Sequence, residues 1–245
     1  MELLYLVIIG FIAGILNTLA GGGSLLTLPL LIFLGLPPNI ANGTNRVAIF
    51  IQNIFGTAGY KSKGIHTYPF NIYFGIAALF GAVIGAKLAV DIKGDVFNKI
   101  LAVVMLFVLF FIIKKPKDIG LIKEQLSGKH FWFSLIVFFF IGIYGGFIQA
   151  GTGFLILVAL NSINKLSLLK SNATKTVVVL IYTLVALATF TYYGKVNWEY
   201  GLSLALGGAT GAWFASRWSV KKGDKAIRIV LIMVILFMSV KLWFF

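Results

Sequence analysis

The sequence predicts an all-α polytopic membrane protein made of two inverted repeats, each with a glycine-broken helical hairpin plus three transmembrane helices, about eight to ten membrane helices in all. Three observations predict this fold class: the composition, the spacing of apolar segments, and an internal match at a constant offset. Of the 245 residues, 60% are hydrophobic and only 11% are charged. A soluble domain carries about 25% charged residues, so a bilayer rather than water must be the solvent for most of this surface.

Apolar segments long enough to cross a bilayer, which takes about 20 residues, recur along the chain. They lie at about 2–20, 41–60, 68–90, 96–113, 130–150, 171–193, 198–219 and 226–245. Two shorter apolar pieces, at about 24–36 and 154–164, each follow a glycine-rich stretch, and either a full span or a re-entrant hairpin would suit them. The polar stretch 114–129 predicts a linker between a first transmembrane repeat at 1–113 and a second at 130–245.

The two halves match each other when the sequence is shifted without a gap so that position 20 falls on position 150. This shift places Ala-Gly-Gly-Gly at 20–23 on Ala-Gly-Thr-Gly at 150–153, and it places Asn-x-Thr at 42–44 on Asn-x-Thr at 172–174. Matches among Leu and Val are common by chance in such a composition, whereas matches among Gly, Asn and Thr at one offset are not. The sequence therefore predicts an internal duplication.

The direction of the second half follows from how often each half crosses the bilayer. As one helix, residues 1–36 would be about 54 Å long at 1.5 Å per residue, too long for a single crossing of about 30 Å. This stretch should therefore enter the membrane and return. Each half then crosses an odd number of times, and an odd half that is repeated must be inverted.

The basic residues support the same topology. With inverted halves, and leaving out Arg46, 15 of the 21 lysines and arginines fall on one side and 5 on the other, whereas a single crossing by residues 1–36 would give 9 against 11. The positive-inside rule then places the 114–129 linker in the cytoplasm and both termini outside a cell membrane. The net charge of +14 reflects this orientation, so we predict no nucleic-acid partner. We read the first apolar segment as a structural helix rather than a cleaved signal, since no basic region precedes it.

The glycine-rich breaks are the first candidate site. Glycines let the backbone leave helical geometry and approach a ligand closely, and a helix beginning near Ser24 would aim its first N–H groups and its positive dipole end into the break. The second break repeats this pattern after Gln149. The alternative is that these glycines serve only for close helix packing or a tight turn.

The Asn-x-Thr motifs follow each break by about twenty residues, and each copy brings a cation, Arg46 or Lys175. Asn and Thr are common helix N-caps, which is the structural alternative. A basic group entering a membrane needs a partner, and an anion or a lipid phosphate would supply one. Gln52 and Asn53 lie in an otherwise apolar segment and either line the path or bond to a neighbouring helix. The candidate substrate-binding residues are Gly21, Gly22, Gly23, Ser24, Asn42, Thr44, Asn45, Arg46, Gln149, Gly151, Thr152, Gly153, Asn172, Thr174 and Lys175.

Residues for catalysis are lacking. The chain has no cysteine, and its seven acidic residues and two histidines fall at segment ends or in loops. No buried carboxylate relay, metal-ligand set or activated nucleophile can be assembled from them. We therefore predict that the protein is not an enzyme and uses no metal or cofactor.

The chain resembles the TauE/SafE sulfite exporter family. The resemblance rests on AGILNTLAGGGSLLTLPLL at 13–31, ANGTNRVAI at 41–49, GIYGGFIQAGTGF at 142–154 and SNATK at 171–175, and it extends over essentially the whole length. It implies a transporter of small anions such as sulfite, thiosulfate, sulfoacetate or other organosulfonates. With the repeat, it leads us to expect alternating access at a midplane site formed by both halves. A passive anion channel and a non-transporting membrane scaffold are the alternatives, and a homodimer is a possible assembly.

Overall fold

The computed structural model of the chain describes residues 2–113 and 124–219, and within these residues the fold is helical throughout, without a strand. The helices are α1 (Glu2–Ala20), α2 (Ser24–Phe33), α3 (Pro38–Lys61), α4 (Phe70–Val90), α5 (Gly94–Ile113), α6 (Gly128–Phe147), α7 (Thr152–Ser162), α8 (Leu168–Tyr192) and α9 (Trp198–Trp218). Every apolar segment predicted before residue 220 corresponds to one of them. The predicted span at 226–245 and most of the predicted linker lie outside the described residues.

The helix boundaries follow the internal repeat. The shift that carries position 20 onto position 150 carries α1 to α4 onto α6 to α9, with ends that agree within a few residues. For example, α2 would fall on 154–163, where α7 runs over Thr152–Ser162, and α4 would fall on 200–220, where α9 runs over Trp198–Trp218.

Four of the described helices, α1, α4, α6 and α8, are long and apolar enough to cross a membrane. The helices that follow the breaks are much shorter, with 10 residues in α2 and 11 in α7. At 1.5 Å per residue they are about 15 Å long, about half of the hydrocarbon thickness. They are too short to span the bilayer. Of the two alternatives that the sequence left open for these pieces, their length fits a re-entrant hairpin and not a full span.

The long helices pack closely through glycines. A Cβ on Gly10 or Gly14 of α1 would overlap the backbone of Leu204 or Gly208 of α9. A Cβ on Gly142 or Gly146 of α6 would overlap the backbone of α4 in the same way. In both pairs the residue numbers of the contacting positions increase in the same direction along the two helices, so the helices run parallel. Small residues four apart, which permit such backbone contact, are typical of helix packing in membranes.

The helices that carry the Asn-x-Thr motifs, α3 and α8, pack against each other in the interior. A Cβ on Gly43 would contact Phe190, and one on Gly56 would contact Thr176. The residue numbers of the contacting positions increase along α3 while they decrease along α8, so the two helices run antiparallel. These two helices are counterparts in the repeat.

The short helices are surrounded by protein. Leu25, Leu28 and Leu31 of α2 are completely buried in one apolar cluster, and Ile156 and Leu160 of α7 are buried in another. Irregular backbone at membrane depth is tolerated where protein covers it, and these clusters provide that cover for the breaks.

The outward surface is apolar. Large side chains such as Phe80, Leu88, Phe140 and Leu206 are each more than 60% exposed. They lie on α4, α6 and α9, so the outer faces of these helices suit contact with lipid.

Candidate functional site

The two glycine breaks meet inside the protein. Gly21 (φ +76°) and Gly151 (φ +72°) take the left-handed conformation that turns the chain out of the preceding helix. A Cβ on Gly21 would lie 2.6 Å from Cα of Gly153, and a Cβ on Gly153 would overlap the backbone of Gly21. Only glycine permits this contact, which brings the two breaks, far apart in sequence, to one place.

Two details differ from the expectations. The segment before the second break ends at Phe147 rather than near 150, because Gln149 takes a left-handed conformation (φ +70°). The motif helices also begin earlier than expected, at Pro38 and at Leu168. Asn42 and Asn172 therefore lie one turn inside their helices, with Pro37 and Ser167 at the N-cap positions. The interpretation of the motif residues as N-caps is wrong.

Arg46 is completely buried and binds the C-terminal end of α6. Its Nη1 donates to the carbonyl oxygen of Gly145 at 3.0 Å and to Oε1 of Gln149 at 3.1 Å. Its Nη2 donates to the carbonyl of Gly146 at 2.6 Å and to Oδ1 of Asn42 at 3.3 Å. A cation of the first half therefore caps a helix of the second half.

Lys175 makes the reciprocal arrangement and is 1% exposed. Its Nζ donates to the carbonyl oxygens of Asn17 and Thr18 at the end of α1, at 2.8 and 3.0 Å, and to Oδ1 of Asn172 at 2.6 Å. These three acceptors use all three of its donors.

The asparagines of the two motifs complete the exchange. Nδ2 of Asn42 donates to the carbonyl of Phe147 at 2.7 Å, and Nδ2 of Asn172 donates to the carbonyl of Leu19 at 3.0 Å. Each half thus satisfies the last carbonyls of the first helix of the other half, groups that a helix cannot pair internally.

The charge at this junction is not balanced by carboxylates. A helix C-terminus carries about half a unit of negative charge, so each helix end offsets only part of the cation that it holds. All five acidic residues in the described ranges are exposed, and the single ion pair found there joins Lys170 to Glu124 at the surface. The described residues also contain no group of three or more His, Asp or Glu side chains that could hold a metal ion. The junction is therefore left with a net positive potential.

The other predicted residues divide into two groups. Backbone groups hold the hydroxyls of Thr44 and Thr174: Oγ1 of Thr44 accepts from the backbone N–H of Asn197 at 2.8 Å, and Oγ1 of Thr174 donates to the carbonyl of Lys170 at 2.8 Å. Ser24, Thr152 and Gln149 lie at the breaks and are buried.

Three further side chains complete the surroundings of the breaks and were missed by sequence reasoning. Oγ1 of Thr27 donates to Oδ1 of Asn45 at 2.6 Å, and the hydroxyl of Tyr182 accepts from Nε2 of Gln149 at 2.9 Å. The hydroxyl of Tyr144 donates to the carbonyl of Ala150. Each of these three residues is a hydroxyl-bearing side chain in an otherwise apolar helix, and this pattern could have identified them from the sequence.

Comparison with known proteins agrees with this fold. The chain is 30% identical over 244 residues to "Probable membrane transporter protein ORF9" of Sinorhizobium sp., covering 98% of this chain and 92% of that protein. It is 27% identical over 235 residues to a "Probable membrane transporter protein" of Haemophilus influenzae (96% and 91% covered). It is 28% identical over 235 residues to "Probable membrane transporter protein YfcA" of Escherichia coli K12 (96% and 87% covered). No solved structure is significantly similar to the chain.

The helical fold, its apolar exterior and these relatives define a polytopic membrane transporter. The family model described as "Sulfite exporter TauE/SafE" matches residues 6–242, nearly the whole chain. The chain belongs to the TauE/SafE sulfite exporter family, and the resemblance noted from the motifs is confirmed.

Proposed function

We propose that this protein is a carrier of small anions, with sulfur oxyanions and organosulfonates as its substrates, and that it binds them where the two glycine breaks meet. The observation that carries the proposal is the pair of buried cations, Arg46 and Lys175, placed at that junction with no acidic side chain of the described residues beside them. A buried cation without a carboxylate is costly, and an anionic substrate would compensate for it.

Hydrogen-bond donors near the junction support the same class of ligand. The backbone N–H groups of Gly22 and Gly23 have no carbonyl partner within the described residues, and they precede the positive end of α2. Nε of Arg46 is also buried without a partner there. Lys175 has no donor to spare, so in this proposal it acts through its charge, while the backbone and Arg46 contact the anion.

The repeat supports an alternating-access mechanism. The antiparallel packing of the counterpart helices α3 and α8 is what inverted halves require. In such proteins the two halves can exchange conformations, which opens a shared site first to one side and then to the other. We propose this mechanism here, in a cell membrane, with the linker in the cytoplasm and both termini outside.

A binding measurement on the purified chain tests the proposal. Thermal unfolding in detergent should be shifted upward by sulfite, thiosulfate or sulfoacetate, since a ligand that binds only the folded state stabilises it by an amount that grows with the logarithm of its concentration over Kd. Neutral molecules of similar size serve as controls and should have little effect. Equal shifts from charged and neutral compounds, or no shift with any anion, would contradict the proposal.

A further inference from the structure

A narrow crevice lies between α1, α2 and α3 of the first half and α9 of the second. Its lining includes Gly23 at the start of α2, Thr27, Asn45, Gln52 and Leu204. It begins at the break itself, since Gly23 belongs to the glycine-rich stretch. Side chains have to move apart to admit a ligand, because at present the crevice is too narrow for a water molecule.

Two amide groups in this crevice have unpaired donors. Nδ2 of Asn45 and Nε2 of Gln52 are buried and have no hydrogen-bond partner in the described part of the chain. The two residues are 0% and 3% exposed. Thr27 donates to the side-chain oxygen of Asn45, which leaves the nitrogen of that amide as its unsatisfied group. Buried donors without acceptors are rare in folded proteins and call for an explanation.

The polar side chains that line this crevice are not repeated in the second half. The shift that relates the halves places Leu157 at the position of Thr27, Lys175 at that of Asn45, and Tyr182 at that of Gln52. Leu157 packs in an apolar cluster, Lys175 binds the end of α1, and the Tyr182 hydroxyl is held by Gln149. The two halves thus carry different side chains at these equivalent positions. Among the described residues, the buried amide nitrogens without a partner belong to Asn45 and Gln52 of the first half.

We infer that this crevice is the subsite that binds the oxygen atoms of the transported anion, so that Thr27, Asn45 and Gln52 of the first half alone select the substrate. The inference rests on the proposed anion transport and deepens it. Two neutral N–H donors suit a ligand with at least two acceptor oxygens on one centre, as in sulfite or a sulfonate. They offer less to chloride, which has a single spherical surface.

The positive charge needed for an anion lies close by. A Cβ on Gly23 would lie 2.6 Å from Cβ of Asn17, and the carbonyl of Asn17 is the group that holds Nζ of Lys175. The amide donors would thus fix the position of the oxygens, while the cation stabilises their charge without touching them. In this arrangement the amide donors determine which anion is bound, and the cation provides the electrostatic attraction.

The variant Gln52→Met tests the inference because it keeps the length of the side chain and removes the amide. Removing an unpaired buried polar group should leave the ligand-free protein at least as stable. Affinity for sulfite and sulfoacetate, measured from the concentration dependence of the thermal shift, should fall about 10- to 100-fold, as expected for losing a hydrogen bond to a charged ligand. Asn45→Leu should weaken binding by a similar factor and provides a second reading if Gln52→Met fails to fold, although it also removes the acceptor of the Thr27 hydroxyl and should lower the stability of the ligand-free protein.

Thr57→Val is the matched control. Oγ1 of Thr57 is also a buried, unpaired polar atom on α3, but the residue does not line the crevice. This variant should bind sulfite as the unaltered protein does. Wild-type affinity in both crevice variants, or an equal loss in Thr57→Val, would overturn the inference while leaving anion transport standing. Failure of the unaltered chain to respond to any anion would instead overturn the proposed function.

Discussion

Buried polar side chains at the junction have partners that lie in the other half of the chain. Lys175 and Asn17 are 158 positions apart, yet they are bonded at 2.8 Å. Arg46 and Gly146 are 100 positions apart and are bonded at 2.6 Å. These bonds hold the two halves together where the helices are broken, and they explain how two cations are accommodated inside an apolar protein.

Replacing Lys175 by Met should weaken both folding and anion binding. The change removes a buried charge and leaves Oδ1 of Asn172 without its donor, at a cost of about 1–3 kcal/mol. The carbonyl oxygens of Asn17 and Thr18 each lose one donor but keep the N–H of Gly21 and the hydroxyl of Tyr60. We expect a lower unfolding midpoint and an affinity for sulfite at least about tenfold weaker. Lys170→Met is the control on the same helix, since the exposed pair of Lys170 with Glu124 should contribute about 0–1 kcal/mol. Equal effects of the two changes would show that burial of the charge is unimportant.

The two motif threonines should differ in their effect on stability. Thr44→Val leaves the backbone N–H of Asn197 without its acceptor at the start of α9, so the free energy of unfolding should fall by about 1–3 kcal/mol. Thr174→Val removes only a bond within its own helix, whose acceptor Lys170 lies four positions away. It should cost less. Unfolding in mixed micelles measures both, and a larger loss for Thr174→Val would contradict this assignment.

At the level of helices, the sequence predicted most of the fold and only part of the site. The α1 segment was predicted over its observed range, because the uninterrupted apolar run at 3–16 leaves little choice. The starts of α3 and α8 were predicted about three residues too late, at about 41 and 171 rather than at Pro38 and Leu168. The side-chain partners of the two cations were among the predicted site residues, but four further partners are backbone carbonyls of the other half, and a carbonyl carries no signature in a sequence.

Two glycines with positive φ allow the cost of a close backbone contact to be separated from the cost of a left-handed backbone conformation. Gly21 and Gly35 both have positive φ, but only Gly21 touches the other half, while a Cβ on Gly35 would have nothing within 4 Å. Gly35→Ala should therefore cost only the left-handed strain of about 1–2 kcal/mol. Gly21→Ala should cost about 1–3 kcal/mol more through overlap with Gly153. Unfolding midpoints compare the two, and equal losses would mean that the breaks are not in tight contact.

At the scale of the molecule, helices of the first and second halves are packed into each other within the described residues. Helix α1 of the first half packs on α9 of the second, and α6 of the second packs on α4 of the first. Neither half could bury its polar breaks alone. The halves are thus expected to fold and to move as one interdependent structure.

The inverted relation can be tested at two equivalent loop positions, Lys63 and Tyr193, which are both exposed. The chain has no cysteine, so a single introduced cysteine is a unique label. Inverted halves predict that Tyr193→Cys reacts with an impermeant thiol reagent applied outside intact cells, and that Lys63→Cys reacts only after the membrane is opened. Labelling of both positions from the same side would exclude inverted halves.

If this protein carries anions through a binding site, the flux of sulfite into liposomes that contain the purified chain should show saturation and competition. Sulfite uptake should rise with concentration and then saturate, and excess sulfoacetate should compete with it, because each molecule must occupy the same site. Empty liposomes should show neither effect. Uptake that never saturates and is accompanied by a steady ionic current, or uptake no faster than in empty liposomes, would contradict the account.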